Sequence, residues 1–120
     1  MARIMIVDDA VFMRIMLRSL VQECEYEIIA EAENGMEAVS LYKKYCPDVI
    51  IMDITMPEMD GIEATKAILS IDPKAKVVMC SALGQHHIVL DAIKAGAKDF
   101  IVKPFDADRV IATLQKVVCM

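Results

Sequence analysis

Short apolar runs rich in β-branched residues alternate along this chain with longer stretches whose apolar positions recur at helical spacing. The unit that repeats, five times over, is a strand followed by a helix. Residues 3–7, 49–52 and 77–80 are almost continuously apolar, as parallel strands covered on both faces are. Residues 27–32 are more mixed and are predicted to form an edge strand, and residues 100–102 make a fifth run. The helical stripes are Phe12, Ile15, Met16, Ser19 and Leu20; Ala38, Leu41, Tyr42 and Tyr45; Ala64, Ala67, Ile68 and Ile71; a weaker one of Ile88, Ala92 and Ala95; and Val110, Ile111, Leu114, Val117 and Val118. Asn34 with Glu37 three residues on resembles a capping box. Pro47 and Asp72-Pro73 stop helices, and Gly96 stands where a helix C-cap glycine would.

Right-handed crossovers cover both faces of such a sheet only if the strand order reverses once, giving a doubly wound parallel sheet of order 2-1-3-4-5. The reversal opens a crevice at the C-terminal ends of the first and third strands. Four of the apolar runs end at that edge on residues phosphoryl chemistry can use: Asp8 and Asp9, Asp53, Ser81 and Lys103. Taken alone, Asp8-Asp9 also suits a turn or a cap on the first helix, and Lys103 also suits a surface position at a strand end. Three carboxylates sharing one crevice, however, raise one another's pKa unless a cation joins them. Mg²⁺ suits such an all-oxygen set, and the lack of His or Cys nearby argues against zinc. Phosphoryl transfer needs charge neutralised over the equatorial oxygens, which a divalent ion, an ammonium and a hydroxyl supply together, and a carboxylate can itself be the nucleophile.

Composition narrows the field. At 120 residues the chain fits one domain, residues 1–120, and its formal net charge of −5, without a cluster of Lys or Arg, argues against direct nucleic-acid binding. The start shows no signal-peptide pattern and no apolar run approaches the ~20 residues of a membrane span, so a cytoplasmic protein without membrane insertion is expected. Cys24, Cys46, Cys80 and Cys119 lie far apart and read as reduced thiols, with Cys119 expected at the surface. His86-His87 point in different directions on a helix and suit a surface or partner contact better than chelation. The ten methionines read as core filler and loop packing.

The motifs IVDDA at residues 6–10, IMDITMPEMDG at 51–61, CSA at 80–82 and KAGAKDFIVKPF at 94–105 together resemble the response-regulator receiver domains, from Arg3 to the final helix. The FMR at residues 12–14 and the lack of an output domain resemble the single-domain chemotaxis regulators among them. The resemblance implies a flavodoxin-like (βα)5 fold and a protein that is a phosphoacceptor rather than a turnover enzyme. By it, Asp53 accepts phosphate from a sensor histidine kinase, Asp8, Asp9 and Asp53 hold Mg²⁺ with the Thr55 carbonyl, Ser81 binds a phosphoryl oxygen, and Lys103 pairs with the acceptor. It further implies a cis Lys103-Pro104 bond, a switch made by Ser81 and Phe100, and a monomer that signals to a motor switch or adaptor protein, with a phosphatase as a further partner. Thr55 and Leu83 stand where such proteins tune self-dephosphorylation; neither orients an attacking water well, so slow hydrolysis is expected. Two other readings stay open. One is a phosphorelay intermediate that passes phosphate to a histidine phosphotransfer partner. The other is an aspartyl-phosphate phosphatase of the haloacid-dehalogenase kind, which needs a second Asp where this chain has Thr55.

Overall fold

The computed structural model describes residues 1–82 and 85–120. Strands and helices alternate as β1 (Arg3–Val7), α1 (Val11–Glu23), β2 (Glu27–Ala32), α2 (Gly35–Tyr45), β3 (Val49–Asp53), α3 (Gly61–Ile71), β4 (Val77–Ala82), α4 (His86–Lys94), β5 (Asp99–Lys103) and α5 (Ala107–Val118). All pairings are parallel and the order is β2-β1-β3-β4-β5, so the single reversal lies between β1 and β3 as the crossover argument requires. β3 is buried along its whole length and β2, at an edge, is half-buried.

Strand side chains alternate between two cores. Met5, Val7, Ile50, Met52 and Met79 face Ala38 and Tyr42 of α2, Ala64 and Ile68 of α3 and Ala92 of α4. Ile4, Ile6, Val49, Ile51, Val78 and Ile101 face Leu17 and Val21 of α1 and Val110, Leu114 and Val117 of α5. Tyr42 reaches out of the first core to donate its hydroxyl to Asp72 Oδ2 at 2.7 Å.

The inward face of α1 differs from the stripe its periodicity suggested. Leu17 and Val21 are the buried positions, while Phe12 is 69% and Ile15 51% exposed. Apolar residues occur all round this helix, so spacing alone admits more than one face. The orientation is set by the row of Arg14, Leu17, Arg18 and Val21, because both arginines reach Glu31 on β2. On α3, Ile71 is exposed and Thr65 is buried instead, its hydroxyl satisfied by the Gly61 carbonyl at 2.7 Å. Thr113 is likewise buried on α5.

Helix starts are also redistributed. Asn34 accepts from the Glu37 N–H at 2.9 Å, but the Glu37 carboxylate turns to the Glu33 N–H rather than back to Asn34. The reciprocal box forms at Asp60 and Glu63. α1 begins at Ala10 without a side-chain cap, so neither Asp8 nor Asp9 serves as its N-cap. Gly96, at φ +111°, follows the end of α4 as expected, and the Lys103-Pro104 bond is cis. The four cysteines are free; Cys46 is exposed as well as Cys119. Among the described residues no helix is long and apolar enough to cross a membrane.

Candidate functional site

Each strand that ends at the crevice delivers one component. β1 runs from buried Val7 into Asp8, which is 1% exposed, and then into exposed Asp9. β3 ends on Asp53, itself almost wholly buried. Carboxylate oxygens of Asp8, Asp9 and Asp53 all lie within 4.8 Å of one another. From β5, the Lys103 ammonium sits 3.1 Å from Asp8 Oδ2 and 3.2 Å from Asp53 Oδ1.

The loop after Asp53 is fixed by two close approaches. Gly61 donates its N–H to the Ile54 carbonyl at 2.8 Å, and a Cβ on Gly61 would lie 2.2 Å from the Asp53 carbonyl oxygen, so only glycine fits. Gly35, at the start of α2, donates to the Met59 carbonyl at 3.1 Å, and a Cβ there would meet that same oxygen at 2.5 Å. Thr55, two residues beyond Asp53, lies exposed in this loop.

The electrostatics follow from burial and crowding. Burial, reinforced by the Asp8 charge, pushes the Asp53 carboxyl up to about 6 even though Lys103 pulls it down. Burial alone would depress Lys103, but the Asp53 and Asp8 carboxylates outweigh it and hold the ammonium charged. Burial drives the neighbouring Cys80 thiol upward, keeping it protonated and inert. One ammonium among three carboxylates leaves the crevice short of positive charge. A donor set of oxygens alone, without nitrogen or sulfur, fits a hard divalent ion such as Mg²⁺.

Ser81 follows Cys80, the β4 residue paired with Asp53, with its Oγ buried and without a hydrogen-bond partner among the described residues. A buried hydroxyl left in that state costs on the order of 1–3 kcal/mol, which an incoming oxygen ligand would recover. On the outer side, Ser81, Val89, Leu90, Ile93 and half-buried Phe100 line an apolar groove of about 510 Å³ between α4 and β5. His86 is exposed at its rim, and His87 is exposed as well. Leu83, the other position expected to influence hydrolysis, lies outside the described residues.

Of the residues that spacing singled out, the structure brings the three acids and the amine together and places the buried Ser81 on the neighbouring strand. Spacing missed Gly35 and Gly61, whose roles depend on backbone approaches, and Arg14, whose guanidinium donates to the Asp8 carbonyl at 2.6 Å. The only sequence hint for Arg14 was its place in the FMR motif.

Comparison with known proteins agrees with this geometry. The family described as response regulator receiver domain matches residues 4–115. The chain is 59% identical over 116 residues to the chemotaxis protein CheY of Listeria monocytogenes, covering 97% of this chain and 98% of that one. Against the chemotaxis protein CheY of Thermotoga maritima it is 58% identical over 115 residues, 96% of each. Among solved structures it superposes on a chain of the CheX–CheY–BeF3–Mg²⁺ complex from Borrelia burgdorferi with a TM-score of 0.92 and 41% identity, covering 97% of this chain and 88% of that chain. The chain therefore belongs to the family of response regulator receiver domains, and within it is similar to the CheY chemotaxis proteins.

Proposed function

We propose that this chain is a phosphorylation-driven switch that takes a phosphoryl group on Asp53 from a sensor histidine kinase and passes the signal on by changing shape. The observation that carries the reading is the convergence of Asp8, Asp9, Asp53 and Lys103 from three strands on one crevice. An Asp53 carboxylate oxygen attacks phosphorus in line, and the P–N bond of the donor breaks with its electron pair returning to the imidazole nitrogen. Mg²⁺, when bound, neutralises charge on the phosphoryl oxygens and on the acids around it. Asp8, Asp9, Asp53 and the Thr55 carbonyl are the groups that would hold it. Lys103 steadies the acceptor, and Ser81 offers its buried hydroxyl to a phosphoryl oxygen.

Drawing Ser81 inward onto a bound phosphoryl oxygen would open space for Phe100, whose ring borders the apolar groove. A surface built from α4, β5 and α5 would then change in affinity for a motor switch or adaptor protein. Similarity to CheY chemotaxis proteins supports that output, and the complex of the Borrelia burgdorferi relative with CheX supports a second protein partner. Thr55 provides no general acid for phosphomonoester turnover, which disfavours the phosphatase reading of this chain itself.

The test is labelling with ³²P from a phosphorylated kinase or from acetyl phosphate. Alkali- and hydroxylamine-labile, Mg²⁺-dependent label on the wild type and none on Asp53→Asn is the expected result. Label that persists in Asp53→Asn, or that needs no divalent ion, would overturn the assignment. Prompt loss of the label to a histidine phosphotransfer protein, in place of tighter binding to a motor protein, would turn the reading to phosphorelay.

A further inference from the structure

The β1–α1 turn carries two acids and yet has no side-chain cap on the helix that follows. What holds it is a set of contacts on Asp8, each to a different part of the fold. The Asp8 N–H donates to the Ala32 carbonyl at the end of β2 at 3.1 Å. Its Oδ1 accepts from the Ala10 N–H at 2.9 Å, and its Oδ2 from Lys103 at 3.1 Å. Its main-chain carbonyl accepts from Arg14 Nη1 at 2.6 Å. Arg14 is in turn held by β2 and the turn after it: Nε lies 3.5 Å from Glu31 and Nη2 3.8 Å from Glu33. Its side chain is only 11% exposed.

The Asp8 carbonyl and the Asp9 N–H belong to one planar peptide unit, and the two carboxylates hang from the Cα atoms at its two ends. Fixing that carbonyl fixes the plane, and with it the directions from which both acids leave the backbone. We infer that Arg14 is a positioning residue for the cation site: its charge-assisted hydrogen bond to the Asp8 carbonyl orients the Asp8–Asp9 peptide, so that both carboxylates point to where the Asp53 oxygen waits. The inference rests on the reading of those acids as ligands of a divalent ion.

Arg18 supplies a control within the same network. It reaches both Glu31 carboxylate oxygens, Nη2 lying 2.7 Å from Oε2 and 3.0 Å from Oε1, but among the described residues it makes no hydrogen bond to the turn. Simple electrostatics and positioning also differ in sign. Removing a cation beside a cluster of acids strengthens binding of another cation, whereas releasing the peptide plane weakens it.

The experiment follows Mg²⁺ binding by amide NMR titration with MgCl₂ for the wild type, Arg14→Ala, Arg14→Lys and Arg18→Ala, alongside thermal melting and metal-free hydrogen exchange at the Ala10 amide. For Arg14→Ala we expect a dissociation constant for Mg²⁺ raised by about three- to tenfold, a modest loss for a misaligned site, and faster Ala10 exchange before any metal is added. Arg18→Ala should lower the melting temperature comparably while Mg²⁺ affinity stays the same or improves. Arg14→Lys, which keeps one donor for the carbonyl, should recover part of the lost affinity. Should Arg14→Ala not fold, Arg14→Gln, too short to span from β2 to the turn, replaces it with the same expected loss. Unchanged or tighter Mg²⁺ binding in the Arg14 variants, or an equal loss in Arg18→Ala, overturns the inference. A wild type whose β1–α1 and β3 amides ignore Mg²⁺ overturns the reading beneath it, and the Ala10 exchange then separates that outcome from a failure of the Arg14 contact.

Discussion

Burying Asp53 beside Asp8 makes its charged form costly, and the cost has a pH signature. With the folded carboxyl raised from 3.8 to about 6, the native state holds a proton that the unfolded chain has already released across that interval. Stability therefore falls as pH rises through the window, and the ionised group is a burden at neutral pH. In metal-free buffer at pH 7.5, Asp53→Asn should be more stable by roughly 1–2 kcal/mol, an advantage that disappears near pH 4. Thermal melts of both proteins across pH check this, and a gap that widens toward acid would contradict it. Added Mg²⁺ should raise the melting temperature of the wild type more than that of the variant. Thr55 leads to a second residue-scale outcome. Exposed and without a carboxylate or amide, it is poorly suited to align an attacking water, so the phosphoaspartate of the wild type should decay more slowly than that of Thr55→Asn. Decay rates after removal of the phosphodonor measure it, and equal rates would remove the role. At this scale the site was legible wherever a reactive side chain ended an apolar run. Arg14 was not, because its importance lies in a carbonyl six residues back that no period marks.

Among the elements, α1 separates what periodicity can and cannot resolve. Its existence and length follow from helical spacing, yet the face it buries was decided by Glu31 on a strand that comes later in the chain. The consequence is an inversion of substitution costs. Leu17→Ala should cost about 2–5 kcal/mol, as a cavity in the core does, whereas Phe12→Ala, despite removing the larger side chain, should stay within about 0.5 kcal/mol. Denaturant melts of the two variants check this; a larger loss at Phe12 would restore the original face. The helix starts carry the same lesson. Asn34–Glu37 and Asp60–Glu63 have the same spacing, and only the second closes reciprocally, since Glu37 finds the Glu33 N–H instead. Local chemistry offered both boxes, and the path of the preceding loop chose between them.

Across the whole molecule, strand order and the crevice at its reversal were readable because continuous apolar runs require cover on both sides and crossovers have one hand. The groove proposed as the output surface was not readable, since a groove depends on how α4 leans over β5. Its position beside Ser81 and Phe100 yields the last outcome. Beryllofluoride with Mg²⁺ should shift the Phe100 ring resonances and the amides of α4, leaving α2 quiet; a ring that does not respond would uncouple the groove from the phosphoryl site.

Lys103 comes from the final strand, 95 residues after the Asp8 it contacts. A polypeptide halted on the ribosome or clipped before β5 would still contain the three acids, but without the ammonium that sits between Asp8 and Asp53. On the reading proposed above, the full set of groups around the acids exists only once the last strand has joined the sheet.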